Sequence, residues 1–274
     1  MQESFRYLRS LLDYASNDTP NESSLYGAVS FILTLFCTSA RVTATKFENL
    51  YLGSFPQKDL KKSRPRKKFR APDFTILVVQ STFGQQSTGR TIEDTGPLIW
   101  EVKASSESLA WFGEGRSEKP DLVEKFFRHF CQIATQVVYA KKKFNHKPIH
   151  ALLSIDIWFV LLYFPGNPPS VVWTTGRTGK PQLHPSDYHK FYDYLIVPPA
   201  PIVNEDCTAF SREFLYALQL SVEDLTDMTV TPHPSFRAPE GTAEFISTQV
   251  RHIHLSPLLN IERHLFTVKE ATIQ

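Results

Sequence analysis

The chain has 274 residues, of which 42% are hydrophobic and 13% aromatic, enough to bury a sizeable core in one large domain or two small ones. A net charge of +2 with a pI near 8.3 excludes binding of polyanions through overall charge, so any such affinity has to come from local clustering. Cys37, Cys131 and Cys207 are odd in number and widely spaced, which excludes a disulfide framework or a cysteine zinc site and points to reduced thiols in an intracellular protein.

From the start of the chain, Phe5, Leu8, Leu11 and Leu12 recur at helical spacing and predict an amphipathic helix ending near Asn17-Asp18. Glu3, Arg6 and Arg9 in its first turns are unlike a secretory signal. Thr19-Pro20-Asn21-Glu22 has the form of a capping box, with Thr19 as N-cap and Pro20 at the first helical position of a second helix over Pro20 to Thr38. That helix is apolar nearly all round and so belongs in the core; its stretch Leu25 to Cys37 is too short to cross a bilayer, and no membrane partner is expected. Asn49 to Phe55 reads as a short strand.

A dense basic run follows from Lys58, containing Lys61, Lys62, Arg64, Arg66, Lys67, Lys68 and Arg70. Such a block is either a solvated loop, a nuclear localisation signal or a phosphate-binding arm, and its position just before Pro72 favours contact with a polyanion. Asp73 then opens the apolar run Phe74 to Val79, and Leu98 to Val102 forms a second strand that leads into Lys103. Paired as a hairpin, these strands would bring Asp73, Glu101 and Lys103 to one end of a sheet, with Glu101 and Lys103 on one face and Val102 on the other. The bland alternative is a surface salt bridge between Glu101 and Lys103.

The segment Ala104 to Pro120 reads as a flexible linker, and Asp121 opens a long helix to about Lys143. At about 100° per residue, Lys125, His129, Gln132 and Gln136 line one border of its apolar stripe. Ile149 to Phe164 and Ser170 to Thr175 read as core strands joined by a hairpin around Pro165-Gly166-Asn167. Thereafter a short helix around Asp187 to Leu195, the proline-rich break VPPAPIV, a helix around Phe210 to Leu220 and a loose tail are expected. His252 and His254 alternate as on a strand, without a third metal ligand nearby.

Helix, strand, strand with Pro72-Asp73, strand with Glu101-Val102-Lys103, helix with glutamine, strand: this order resembles the PD-(D/E)XK nuclease superfamily, which includes fungal-type members. The resemblance spans about Pro20 to Thr175. It implies an α/β restriction-endonuclease-like core (α-β-β-β-α-β, a mixed central sheet flanked by helices) within a nuclease-like domain of residues 1–200, its core over 20–176, followed by a C-terminal extension of residues 201–274. It also implies a metal site of Asp73, Glu101 and the Val102 carbonyl, completed by Glu22, which has the competing role of a capping-box acid. Lys103 would be the catalytic lysine, and Gln132 or Gln136 the associated glutamine.

Those residue types suit the chemistry. A phosphodiester is anionic and has a poor leaving group, so its hydrolysis needs positive charge and an activated water. Carboxylate oxygens such as those of Asp73 and Glu101 hold Mg²⁺ or Mn²⁺, which polarises the phosphate and acidifies water, while a neighbouring lysine orients or deprotonates that water. The expected substrate is nucleic acid, DNA ahead of RNA. The alternative is an inactive relative serving as a nucleic-acid-binding or scaffold domain.

Overall fold

The computed structural model describes residues 2–18, 21–45, 49–56, 72–80, 98–104, 111, 122–144, 147–166, 173–175, 181–183, 189–223, 225 and 228–251. Its centre is a six-stranded mixed sheet in the order β2-β3-β4-β5-β6-β9, built from Leu50–Pro56 (β2), Phe74–Gln80 (β3), Leu98–Lys103 (β4), Ile149–Ile155 (β5), Trp158–Phe164 (β6) and Leu195–Pro201 (β9). Every neighbouring pair is antiparallel except β4 and β5. A parallel pair needs a crossover, and the helix α3, Leu122–Lys143, supplies it.

Strand alternation divides the core between the two faces of this sheet. Phe74, Ile76, Val78, Leu98, Trp100 and Val102 pack on the side of α1 (Gln2–Asn17) and α2 (Glu22–Ser39). Leu77, Ile99, Leu153 and Ile155 face the other way, onto Phe126, Phe130, Ile133 and Val137 of α3. Because apolar side chains cover both faces of β4, all six of its residues are buried, its two charged ones included. The paired carboxylates and lysine therefore do not form a surface salt bridge.

The second helix begins later than its sequence suggests. Asn21, not Thr19, is the N-cap of α2, its Oδ1 accepting from the Ser23 backbone N–H at 3.2 Å; Thr19 and Pro20 lie outside the described residues. Glu22 is consequently the first helical residue, one position from the cap, and the expected capping box is not formed. The apolar run Ile149 to Phe164 is itself a hairpin, turning at Asp156 and Ile157; the hairpin expected around Pro165-Gly166-Asn167 does not form among the described residues, since β6 pairs with β5 and β9 and the strand Trp173–Thr175 pairs elsewhere, Asn167 itself lying outside them. Asp156 takes the left-handed backbone, φ +53°, which aspartate tolerates better than most residues, and no glycine was there to announce it.

The short strands β7 (Trp173–Thr175) and β8 (Pro181–Leu183) pair with each other, and α4 spans His189–Tyr194. The proline-rich segment read as a break is the edge strand β9, carrying Pro198, Pro199 and Pro201, and its ladder with β6 is irregular. An edge tolerates proline because half of its backbone needs no partner in the sheet. Nor are the described residues after α5 (Arg212–Glu223) a loose tail: β10, Met228–Thr231, pairs with β1, Arg41–Ala44, and is followed by a 3₁₀ turn at Pro234–Phe236 and a helix over 242–251, while residues 252–274 lie outside the described residues. Phe214 of α5 packs against Trp100 and Phe159, and Phe236 against Phe36. Cys37, Cys131 and Cys207 are free thiols, all buried. Among the described residues no helix is long and apolar enough to cross a membrane.

Candidate functional site

β3 and β4 pair with Phe74 opposite Trp100, which carries the preceding residue, Asp73, level with Glu101. The end of β4 is further fixed by β5: Lys103 lies opposite Ile155, and the next residue, Asp156, donates its backbone N–H to the Lys103 carbonyl at 2.9 Å. Asp73, Glu101 and Lys103 are all buried there, 8%, 2% and 7% exposed, so each charge requires partners to replace its lost water.

The partners are supplied from both faces of the sheet. Lys103 Nζ lies 2.8 Å from Glu101 Oε1 and 3.3 Å from Glu22 Oε1, and it donates to the Val102 carbonyl at 3.0 Å. From α3, Gln132 Nε2 donates to Glu101 Oε1 and Gln136 Nε2 donates to Glu101 Oε2 at 2.7 Å. Both glutamines reach the same carboxylate because positions four apart on a helix share a face. Lys125 and His129 stand half-buried further along the same border. From α2, the Tyr26 hydroxyl donates to Asp73 Oδ1 at 2.6 Å, while the backbone N–H of Val102 donates to Oδ2 at 2.8 Å.

Burial pushes the Glu101 carboxyl above its ordinary value, with the Asp73 charge adding to the effect and Lys103 and Gln136 opposing it. For Lys103, burial works against the ammonium, but Glu101 first and then Glu22 and Asp73 outweigh it and hold the group above its usual range. The phenol of Tyr26 is raised by burial and then by its hydrogen bond to Asp73, so it remains a donor. Three carboxylates thus gather around one ammonium among the described residues, an excess of negative charge in a site largely closed to water.

That excess bears on what the site can hold. Among the described residues, no group of three or more His, Cys, Asp or Glu is arranged to hold a metal ion. The oxygens on offer are those of Asp73, Glu101 and the Val102 carbonyl. Mg²⁺ commonly takes one or two carboxylates and keeps water in its remaining positions, so this hard, sparse donor set suits that class of cation and does not suit zinc.

The residues singled out in the sequence thus separate into groups. Asp73, Glu101, Val102, Lys103, Gln132 and Gln136 meet at one end of β4. Glu22 reaches the same place, but through Lys103, with its side chain 43% exposed. The basic residues Lys61, Lys62, Arg64, Arg66, Lys67, Lys68 and Arg70, and the pair His252 and His254, lie outside the described residues. Tyr26 was passed over as core packing, although its position one turn after Glu22 was a signal that both face the same way. No family model, curated protein or solved structure matches the chain.

Proposed function

We propose that the protein is a metal-dependent nuclease of the PD-(D/E)XK type. The observation that carries this reading is the meeting of Asp73, Glu101 and Lys103 at the end of two paired strands, with carboxylates in excess of cations among the described residues. The element order α2, β2, β3, β4, α3, β5, with β4 and β5 parallel, supports a restriction-endonuclease-like core, β1 being an addition between α2 and β2.

Asp73, Glu101 and the Val102 carbonyl would hold Mg²⁺ or Mn²⁺, which supplies Lewis acidity toward the phosphate and lowers the pKa of water. The protein's own part is positioning and charge. Gln132 and Gln136 fix the Glu101 carboxylate by donating to both of its oxygens without adding charge. Lys103, kept as an ammonium by the acids around it, donates hydrogen bonds. It would orient the attacking water and stabilise charge developing on the phosphate. Glu22 holds that ammonium from the solvent side. The basic run between β2 and β3 supplies positive charge in the chain segment leading to Asp73, suited to neighbouring phosphates of a nucleic-acid strand.

The test is cleavage of supercoiled plasmid and of single-stranded DNA with Mg²⁺ or Mn²⁺ by wild type, Asp73→Ala and Lys103→Ala. Wild type is expected to cut only with metal, and each variant to lose at least about 100-fold, the scale on which a transition-state donor contributes. Equal activity in all three proteins would sink the proposal.

A further inference from the structure

We propose that Tyr26 is a positioning residue for Asp73, setting the carboxylate for a divalent cation. This rests on the nuclease reading and adds a residue to its machinery. α2 brings two polar groups to the site from consecutive turns: Glu22 meets Lys103, and Tyr26 meets Asp73. Asp73 lies just ahead of β3 and has no strand ladder of its own to fix it, so its side chain is set by what donates to it. Tyr26 takes Oδ1 and the Val102 N–H takes Oδ2, which fixes the carboxylate plane and leaves a lone pair on each oxygen.

The chemical type of the donor matters. A lysine or arginine at this position would hold Asp73 equally well but would cancel the negative charge that a cation needs. A phenol orients the carboxylate and leaves its charge in place. The ring is itself anchored, edge to face against Phe74 with centroids 5.6 Å apart. Tyr26→Phe therefore removes the hydroxyl while keeping the packing. Glu101 is held from the other face by the amides of Gln132 and Gln136, again neutral donors. Each acid thus takes neutral donors from one helix, Asp73 from α2 and Glu101 from α3, and of the two only Glu101 also has the Lys103 ammonium within ion-pair distance.

The test is calorimetric titration of Mn²⁺ into the full chain of wild type, Tyr26→Phe and Asp73→Ala, with the melting temperature of each measured free of metal. Wild type is expected to bind, Asp73→Ala to lose binding, and Tyr26→Phe to bind about 10-fold to 100-fold more weakly, the usual consequence of losing a group that orients a ligand. The DNA-cleaving activity of Tyr26→Phe should then recover as Mn²⁺ is raised, a rescue that a merely structural role would not produce. Equal Mn²⁺ affinity in wild type and Tyr26→Phe, even with a lowered melting temperature, overturns the role of Tyr26 while leaving the metal site standing. Binding that is absent from wild type, or that survives Asp73→Ala, overturns both. Should Tyr26→Phe fail to fold, Tyr26→Leu, apolar against Phe74 and without a donor for Asp73, gives the comparison, and unchanged affinity there is equally fatal.

Discussion

Glu22 carries two roles that its sequence context cannot separate, and the geometry divides them. Asn21 caps α2, and Glu22 pairs with Lys103 at 3.3 Å from a side chain that is 43% exposed. Glu22→Gln should accordingly change stability by less than about 1 kcal/mol, as expected for a pair open to solvent. It should nonetheless reduce cleavage by about tenfold, through a less well held Lys103. Urea denaturation and plasmid cleavage on one preparation check both. That Asp73, Glu101 and Lys103 meet was legible from strand pairing and alternation, whereas periodicity put the two glutamines on a helix border with Lys125 and His129, and only the resemblance singled them out. Tyr26 was not legible: its spacing from Glu22 shows a shared side of the helix, but in a helix apolar nearly all round it does not show that the hydroxyl has a buried acid to meet. The basic residues of 58–70 are legible as charge and lie outside the described residues.

A second residue sets a pH dependence away from the site. Lys141, in the last turn of α3, is fully buried, and burial lowers its pKa to about 8. The unfolded chain, with an ordinary lysine, binds more protons than the folded one between that value and about 10.4. Stability is therefore penalised in full below about pH 8 and is regained as pH rises above it. Between about pH 7 and 9.5, where the buried Cys37 thiol, pushed up to about 12, pulls stability the other way, wild type should gain stability relative to Lys141→Met as pH rises. A difference between the two proteins that does not change with pH would contradict the assignment.

Among the elements, β4 separates function from packing by its two faces. Glu101 points toward α3, while Trp100 and Val102 belong to the core under α2. On that second face, Trp100 Nε1 donates to Ser154 Oγ of β5 at 2.9 Å, with both residues buried. Ser154→Ala would leave the indole N–H without its partner and should cost about 1–3 kcal/mol. Cleavage by the folded variant should stay at the wild-type level, since neither group touches the acids. Strands and helices with strong periodicity were legible before the fold was known. The β5–β6 turn was not: Asp156-Ile157 sits inside an apolar run, and its reversal depends on an aspartate accepting a left-handed backbone. β9 was hidden for the opposite reason, its prolines signalling a break in any strand but one at an edge.

For the whole molecule, the described residues beyond β9 close the core. Phe210 packs against Phe5, Phe214 against Trp100 and Phe159, Phe236 against Phe36, and β10 against β1. Removing residues 202–274 would strip a fully buried tryptophan and several phenylalanines of their cover. Each large aromatic uncovered forfeits roughly 1.5–3 kcal/mol of burial, a large share of a typical domain's stability. The truncated chain should lose cooperative unfolding by circular dichroism and elute as aggregate on gel filtration. A soluble, cooperatively melting product would show that the first part folds alone.

The prolines of β9 matter between molecules as well as within one. A strand at the rim of a sheet exposes backbone that a neighbouring protein copy can adopt as a template. Pro198, Pro199 and Pro201 have no N–H to offer, so this rim resists recruitment into intermolecular sheets. Among the described residues, the opposite rim of the same sheet, β2, has one proline, at its last residue, and carries the exposed Tyr51, so of the two rims β2 is the better template for strand addition.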